Sequence, residues 1–197
     1  TPDRKLPIGS AKFNVGHTLE AAGLVGVARA VLAMQHETIP PAIDGRPLNP
    51  QVAWDEIPLF VPREPVPWPR SGDGTPRRAG VDAFGIGGLN VHVVVDDYVP
   101  SRSPVVPGAD LPAQTLRTPR GEDDGAVAVI GMGAVMPGAL TLDAFWELLA
   151  AGRDATSELP DGRWDPDAFY RPGATGPWET PTKRGGYVTG FEYDWRQ

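Results

Sequence analysis

A histidine and a lysine five residues apart are the clearest candidates for chemistry in this chain. His17 follows Asn14 and Gly16 in a predicted turn at the start of a predicted helix, and Lys12 precedes them. The helix end and the nearby ammonium both favour a neutral imidazole. A neutral imidazole held in this way can donate a hydrogen bond to negative charge that develops during a reaction. A capping or packing role for His17 is equally consistent with the spacing.

The other two histidines are weaker candidates for a catalytic or ligand role. His36 lies at the polar end of the predicted helix, where we expect it to be solvated. His92 lies within a β-branched run, where a buried histidine with satisfied hydrogen bonds is a better interpretation than a ligand. The three histidines lack metal-ligand spacing, and the chain has no cysteine. We therefore predict no metal site, no disulfide and no cysteine nucleophile within these residues.

A glycine-rich loop at 131–138 invites a nucleotide-binding interpretation. The dinucleotide fingerprint needs glycine where this chain has Met136, and Pro137 interrupts the helix start that would hold the phosphates. A tight turn between a strand and a helix is therefore the preferred interpretation. A nucleotide-dependent oxidoreductase remains a hypothesis, and it rests on this loop alone.

The elements that position these groups are of mixed α/β type. Apolar residues at helical spacing predict a helix over about 18–36 with many small side chains. Two strands are predicted at 78–84 and 90–95, joined by a glycine-rich turn at 85–88. Further along, residues 127–130 predict a short buried strand. Thr141 predicts the N-cap of a helix that ends near Gly152, with Leu142, Phe145, Trp146, Leu148 and Leu149 on its apolar face.

Composition and charge limit the domain organisation and the classes of partner that the chain can have. The 197 residues include 24 glycines and 23 prolines, so loops and a linker take up much of the chain. Residues 99–125 are proline-rich and predict a semi-extended linker rather than a long loop within one domain. The net charge of -7 argues against a nucleic-acid surface, and no apolar run is long enough to span a membrane. We expect a soluble, cytoplasmic protein.

Two motifs before the linker resemble those of β-ketoacyl synthases, the condensing enzymes of polyketide and fatty-acid synthases. Residues 10–23, SAKFNVGHTLEAAG, resemble the lysine/histidine motif of that family. Residues 78–92, RAGVDAFGIGGLNVH, are similar to its C-terminal glycine-rich signature, and the IPP of 39–41 fits as well. Residues 1–98 therefore look like the C-terminal part of a ketosynthase.

The other side of the linker resembles the opposite end of the same family. Residues 127–133, VAVIGMG, look like the opening strand and loop, and 143–149, DAFWELL, match the following helix. PDGRWD at 160–165 and KRGGY at 183–187 complete the pattern. Residues 126–197 thus resemble the N-terminal part of a second ketosynthase or of a chain-length factor. A direct succession of two ketosynthase-like units resembles the ketosynthase–chain-length-factor pairs of polyunsaturated fatty acid synthases.

The resemblance implies a thiolase-like fold with αβαβα layers, here as two partial domains joined by the proline-rich linker. The implied reaction is decarboxylative Claisen condensation of acyl and malonyl thioesters. His17 matches the histidine that stabilises the thioester oxyanion, and Lys12 the lysine that orders the hydrogen bonds of the site. Ile86 matches the position whose backbone N–H joins the oxyanion hole and whose side chain gates the acyl pocket. The supporting and flexible positions of that loop are Phe84, Gly85, Gly87, Gly88 and Asn90.

The resemblance also implies partners and leaves alternatives open. The substrates would be carried on the phosphopantetheine of an acyl carrier protein, with no cofactor bound directly by this chain. Other synthase domains would be partners, as a homodimer or as a ketosynthase–chain-length-factor pseudo-dimer. Leu89 and Val91 depart from the family pattern, and the family's cysteine and second histidine belong to a central region outside these residues. A non-catalytic interaction fragment is the alternative function.

Each half lacks elements against which it would ordinarily pack. We therefore expect large exposed apolar faces, including that of the 19–34 helix, unless the halves pair with other chains or with a larger polypeptide.

Overall fold

The computed structural model describes residues 5–42, 47–99, 127–194 and 196. We call residues 5–99 the first segment and residues 127–194 the second segment. The predicted linker lies outside the described residues except for position 99. The elements of the first segment are β1 (Leu6–Pro7), α1 (Lys12–Val15), α2 (Ala22–Gln35), β2 (Thr38–Ile39), β3 (Leu59–Phe60), β4 (Val66–Pro67), β5 (Arg78–Phe84) and β6 (Asn90–Asp96). The second segment contributes α3 (Leu142–Ala150) and α4 (Pro166–Phe169).

Helix α2 is the centre of the first segment, and its small residues explain how it packs. A single 3-10 turn, Leu19–Ala21, precedes it, so the predicted helical stretch is confirmed with a tighter first turn. A Cβ added at Gly26 would lie 2.8 Å from Val81 Cγ1, and one at Gly23 would lie 3.1 Å from the Cβ of Ala83. These glycines therefore let β5 lie directly on the helix.

The predicted hairpin is confirmed. Strands β5 and β6 pair antiparallel in a register from Arg78 opposite Asp96 to Phe84 opposite Asn90. His92 is not the buried histidine that the β-branched run predicted. Its side chain is 58% exposed, and its Nδ1 lies 2.7 Å from the Asp82 carboxylate on the neighbouring strand. The reason is that helix α2 covers one face of this hairpin, and His92 lies on the other.

Short strand pairs and one buried ion pair hold the rest of the first segment. Strand β1 pairs parallel with β3, and β2 pairs antiparallel with β4. The Arg77 guanidinium donates to the Asp97 carboxylate at 2.7 Å and to the Trp68 carbonyl at 2.8 Å. Both charged side chains are almost fully buried. Each partner has a second, longer ion pair, Asp97 with Arg70 at 3.5 Å and Arg77 with Glu37 at 3.6 Å, so the buried pair is part of a small charge network.

The helix predicted to begin after Thr141 is confirmed as α3. The Thr141 hydroxyl accepts a hydrogen bond from the Ala144 N–H at 3.2 Å, as an N-cap should. Phe145, Leu148 and Leu149 are buried on one face.

The predicted strand at 127–130 is wrong. The segment forms no strand, and Val127 and Ile130 are 90% and 98% exposed. A β-branched run forms a strand only beside another strand that completes its hydrogen bonds, and no described strand lies alongside. Near the end of the second segment, an isolated bridge joins Ser157 and Gly185.

One core joins the two segments. Val15, Val25 and Leu32 from the first segment pack in a single buried cluster with residues of the second segment. The second segment contributes Ala139, Phe145, Leu148 and Leu149 to it. The apolar faces that we expected to pair with other chains are thus partly covered within this chain.

Candidate functional site

The Lys12–His17 segment is built on a one-turn helix. The backbone N–H groups of Val15 and Gly16 close the turn on the carbonyls of Ala11 and Lys12, both at 3.0 Å. Gly16 has φ +80°, a conformation that favours glycine. A side chain there would also meet the backbone of Gly186 at 3.3 Å. The helix and its glycine end therefore place Lys12 and His17 on the exposed side of the segment, where both side chains are accessible.

One backbone hydrogen bond determines which ring nitrogen of His17 can donate. Its Nδ1 accepts a hydrogen bond from the backbone N–H of Leu19 at 3.0 Å. An accepting ring nitrogen carries no proton, so the ring proton is on Nε2. The exposed His17 can therefore donate a hydrogen bond from Nε2.

The residue that makes this bond is strained. Leu19 has φ +48°, a left-handed conformation that costs a leucine about 1–2 kcal/mol. Its side chain is 66% exposed, so little burial offsets that cost. Non-glycine residues in this conformation cluster at functional sites because the surrounding structure enforces them.

The glycine-rich loop lies at the same end of helix α2 as His17. Val81 lies against Gly26 and Ala83 against Gly23, so β5 runs toward the start of the helix. The loop that follows β5 therefore emerges at the end where His17 precedes the helix.

The loop itself is a tight turn with exposed apolar side chains. The Gly85 N–H donates to the Leu89 carbonyl at 2.8 Å, and the Gly88 N–H donates to the Gly85 carbonyl at 2.9 Å. Gly88 has φ +84°, and nothing lies within 4 Å of a Cβ added at Gly87 or Gly88. Phe84 and Ile86 are 77% and 107% exposed. The Ile86 side chain is thus fully exposed at the tip of the turn.

Asn14 is a structural residue of this site that the sequence did not single out. It is buried, and its Nδ2 donates to the Arg153 carbonyl at 3.0 Å. The Ala155 N–H donates in return to the Asn14 carbonyl at 2.7 Å. Asn14 Oδ1 is buried with no partner among the described residues. These bonds attach the Lys12–His17 segment to the second segment, and no local pattern could have revealed them.

A carboxylate anchors the part of the second segment that Asn14 contacts. Burial raises the pKa of Asp154, but hydrogen bonds from Thr156 and the Arg184 guanidinium outweigh that effect, so the pKa lies below its ordinary 3.8. Arg184 Nη2 lies 3.0 Å from the carboxylate and also donates to the Thr156 carbonyl. The charged form of Asp154 therefore helps to order residues 153–157.

Within the described ranges, no cluster of three or more histidine, cysteine, aspartate or glutamate residues could hold a metal ion. In the same residues, no helix is both long enough and apolar enough to cross a membrane.

Three family models match consecutive parts of the chain. Residues 1–46 match the C-terminal domain of β-ketoacyl synthases, and residues 48–129 match the ketoacyl-synthetase C-terminal extension. Residues 124–195 match the N-terminal domain of β-ketoacyl synthases. The chain belongs to the β-ketoacyl synthase family, with a C-terminal part followed by an N-terminal part.

Similar curated proteins are large synthases. One component of a polyunsaturated fatty acid synthase from Thraustochytrium sp. is 38% identical over 161 residues, which are 81% of this chain and 8% of that protein. An erythronolide synthase from Saccharopolyspora erythraea is 47% identical over 95 residues, 48% of this chain and 3% of that protein. The chain thus spans less than a tenth of the length of these relatives.

A solved ketosynthase is also similar. The ketosynthase from module 6 of the bacillaene synthase of Bacillus subtilis 168 is 41% identical, covering 51% of this chain and 18% of its own chain, with a TM-score of 0.47.

Proposed function

We propose that this chain is part of a multifunctional polyketide or fatty-acid synthase that catalyses decarboxylative Claisen condensation. The observation that carries the proposal is the His17 imidazole, whose Nδ1 accepts from Leu19 and whose Nε2–H is free to donate. His17 lies within the part matched to the C-terminal domain of β-ketoacyl synthases. A fixed donor is what a developing thioester enolate requires.

Each proposed residue has a defined task in that reaction. When the malonyl thioester loses CO2, its C–C bond breaks and the electron pair moves onto the thioester oxygen, where the His17 Nε2–H donates. The enolate carbon then attacks the acyl thioester carbonyl, and a thiolate leaves. The Ile86 N–H contributes to the oxyanion hole of that second step, and Lys12 orders the hydrogen bonds around His17.

The glycine-rich loop would open and close the acyl pocket. Gly85, Gly87 and Gly88 give the backbone its freedom, while Phe84 and Asn90 support the loop as paired residues at the ends of β5 and β6. The exposure of Ile86 supports the gating role.

The proposed architecture is a pair of incomplete thiolase-like domains, with αβαβα layers in the parent protein. Residues 1–98 belong to one ketosynthase, 99–125 to a linker and 126–197 to a second ketosynthase or chain-length factor. The alignment with the polyunsaturated fatty acid synthase component supports this succession, because 161 residues cannot fit on one side of the linker. The nucleophilic cysteine would come from elsewhere in the parent, since this chain has none.

The proposed partner is an acyl carrier protein that presents acyl and malonyl groups on phosphopantetheine. In the parent protein the ketosynthase would act as a homodimer or as a pseudo-dimer with a chain-length factor. We propose the cytoplasm as its location.

The experiment is a condensation assay of the parent synthase with malonyl- and acyl-loaded carrier protein. His17→Ala should lower the rate of β-ketoacyl product formation by about 100-fold or more, because one oxyanion donor is lost. His92→Ala is the matched control, since His92 is an exposed histidine on the hairpin. Equal activity of both variants would refute the proposal and favour an interaction fragment.

A further inference from the structure

Arg29 is a charged residue of helix α2 that has no acidic partner among the described residues. Its side chain is partly buried, and its Nε is fully buried with no hydrogen-bond partner in the same part of the chain. Burial lowers its pKa from 12.5 to about 10, and no carboxylate of the described residues counters that effect. A buried cation without a counter-ion opposes folding, and a methionine would fill most of the same space without that cost. Packing alone therefore does not explain an arginine at this position.

The Arg29 guanidinium lies between two stretches of backbone. Its Nη2 donates a hydrogen bond to the carbonyl of Pro40 at 3.0 Å, and Pro40 is fully buried. A Cβ added at Gly9 would lie 2.5 Å from Nη1 and 2.8 Å from Nη2, which is closer than a carbon atom can come. The guanidinium therefore occupies the space that a side chain at Gly9 would need, and it bridges Gly9 to a buried carbonyl.

Gly9 is the joint between strand β1 and the segment that carries Lys12. Ile8 before it is fixed, because its N–H donates to the Phe60 carbonyl at 2.9 Å. Ser10 after it leads into helix α1, since its Oγ accepts from the Lys12 N–H at 3.3 Å. The direction in which α1 leaves the strand is therefore set at residue 9, where the guanidinium lies.

We propose that Arg29 is a positioning residue of the condensing site. Its guanidinium fixes the joint at Gly9 and thereby the orientation of the segment that carries Lys12 and His17. This inference rests on the function proposed above. Arg29 acts through the backbone of α1 and touches no substrate. An offset of about 1 Å in a catalytic group can slow a reaction about 100-fold, which is a reason to keep a buried charge that does not stabilise the fold.

The first test measures release of labelled CO2 from malonyl carrier protein by the parent synthase, over a range of carrier protein concentrations. Arg29→Met should lower kcat about tenfold or more and leave KM within about twofold, because Lys12 and His17 are displaced while the substrate still binds. Arg29→Lys should recover most of the rate, since an ammonium can still donate to the Pro40 carbonyl. Arg171→Met is the matched control, because exposed Arg171 also donates to backbone carbonyls, but only within its own turn.

A glycine variant disturbs the same contact without changing the arginine, so it does not depend on how Arg29→Met folds. Gly9→Ala places a Cβ where the guanidinium lies, and it should also slow CO2 release about tenfold or more. In the Arg29→Met background, Gly9→Ala should change the rate by less than about twofold, because the shorter methionine does not reach Gly9. Gly72→Ala is the control, since a Cβ there meets nothing within 4 Å.

The outcomes separate this inference from the proposed function. His17→Ala in the same assay tests the function alone, and full activity of that variant would refute both. Slow CO2 release by His17→Ala beside normal release by Arg29→Met or Gly9→Ala would overturn the positioning role only. Additive losses in the double variant, or a change in KM alone, would overturn it as well.

Discussion

Asn14 Nδ2 donates to the Arg153 carbonyl oxygen at 3.0 Å, although the two residues are 139 positions apart in the chain. This bond attaches the segment that carries Lys12 and His17 to the second segment. The bond is buried. If an oxygen replaced the Asn14 amide N–H, two hydrogen-bond acceptors would therefore face each other without water between them.

Asn14→Asp should therefore lower the free energy of unfolding by about 2 kcal/mol or more at neutral pH. The deficit should shrink as the pH falls, because protonation restores a donor and removes the buried charge. Denaturant titration at pH 7 and pH 4 measures both effects. Asn49→Asp is the matched control, since the side-chain oxygen of exposed Asn49 accepts from the Gln51 N–H and an aspartate keeps that acceptor. Equal effects at both positions would contradict this role of Asn14.

The strained leucine next to His17 gives a second prediction. Leu19→Gly should raise the free energy of unfolding by up to about 1 kcal/mol, because glycine adopts a positive φ without the steric cost. Leu24→Gly should lower it by about 1 kcal/mol, since Leu24 is similarly exposed but lies within helix α2. Chemical denaturation of both variants measures the difference. A destabilised Leu19→Gly variant would mean that Leu19 bears no strain.

The pKa of Asp154 predicts a dependence on acid. Because hydrogen bonds hold this pKa below its ordinary 3.8, the folded state gains stability from the carboxylate above that pH. The gain is lost as the pH falls from about 3.8 through the lowered value. Asp154→Asn should cost about 0.5–1 kcal/mol at pH 7 and less at pH 2. Thermal unfolding against pH tests this, with the exposed Asp161→Asn as control. A gap of the same size at both pH values would contradict it.

The glycine-rich loop gives a prediction on backbone geometry. Gly88→Ala should lower the free energy of unfolding by about 1–2 kcal/mol, because an alanine there would be left-handed. Gly87→Ala should change it by less than about 0.5 kcal/mol, since open space surrounds that position and its φ is not positive. Thermal melts of the two variants compare neighbouring residues of one loop. Equal melting temperatures would show that the turn does not need its left-handed glycine.

Local patterns in the sequence predicted the elements well. The hairpin has a valine-rich second strand after a glycine turn, and Thr141 caps its own helix, so both signals are complete within a few residues. The strand predicted at 127–130 failed because a strand needs a neighbour that local sequence does not supply. His36 was expected to be solvated and is exposed, but its stacking on Trp146 from the other segment could not be read from the local sequence.

Single-residue signals also explain what sequence reasoning could and could not find at the site. His17 and Lys12 were identifiable from their types and spacing within a family motif. Leu19 was not, because leucine rarely adopts a positive φ and nothing in its type signals one. Asn14 was missed because its partners lie more than a hundred residues away.

The most direct test of the proposed chemistry separates the decarboxylation step from acyl transfer in the parent synthase. Acyl loading of the synthase and release of labelled CO2 from malonyl carrier protein are followed in single-turnover reactions with wild type and His17→Ala. We expect normal acyl loading and CO2 release slowed by about 100-fold or more, because the enolate oxygen has lost its donor. Unchanged CO2 release with impaired acyl loading would contradict it.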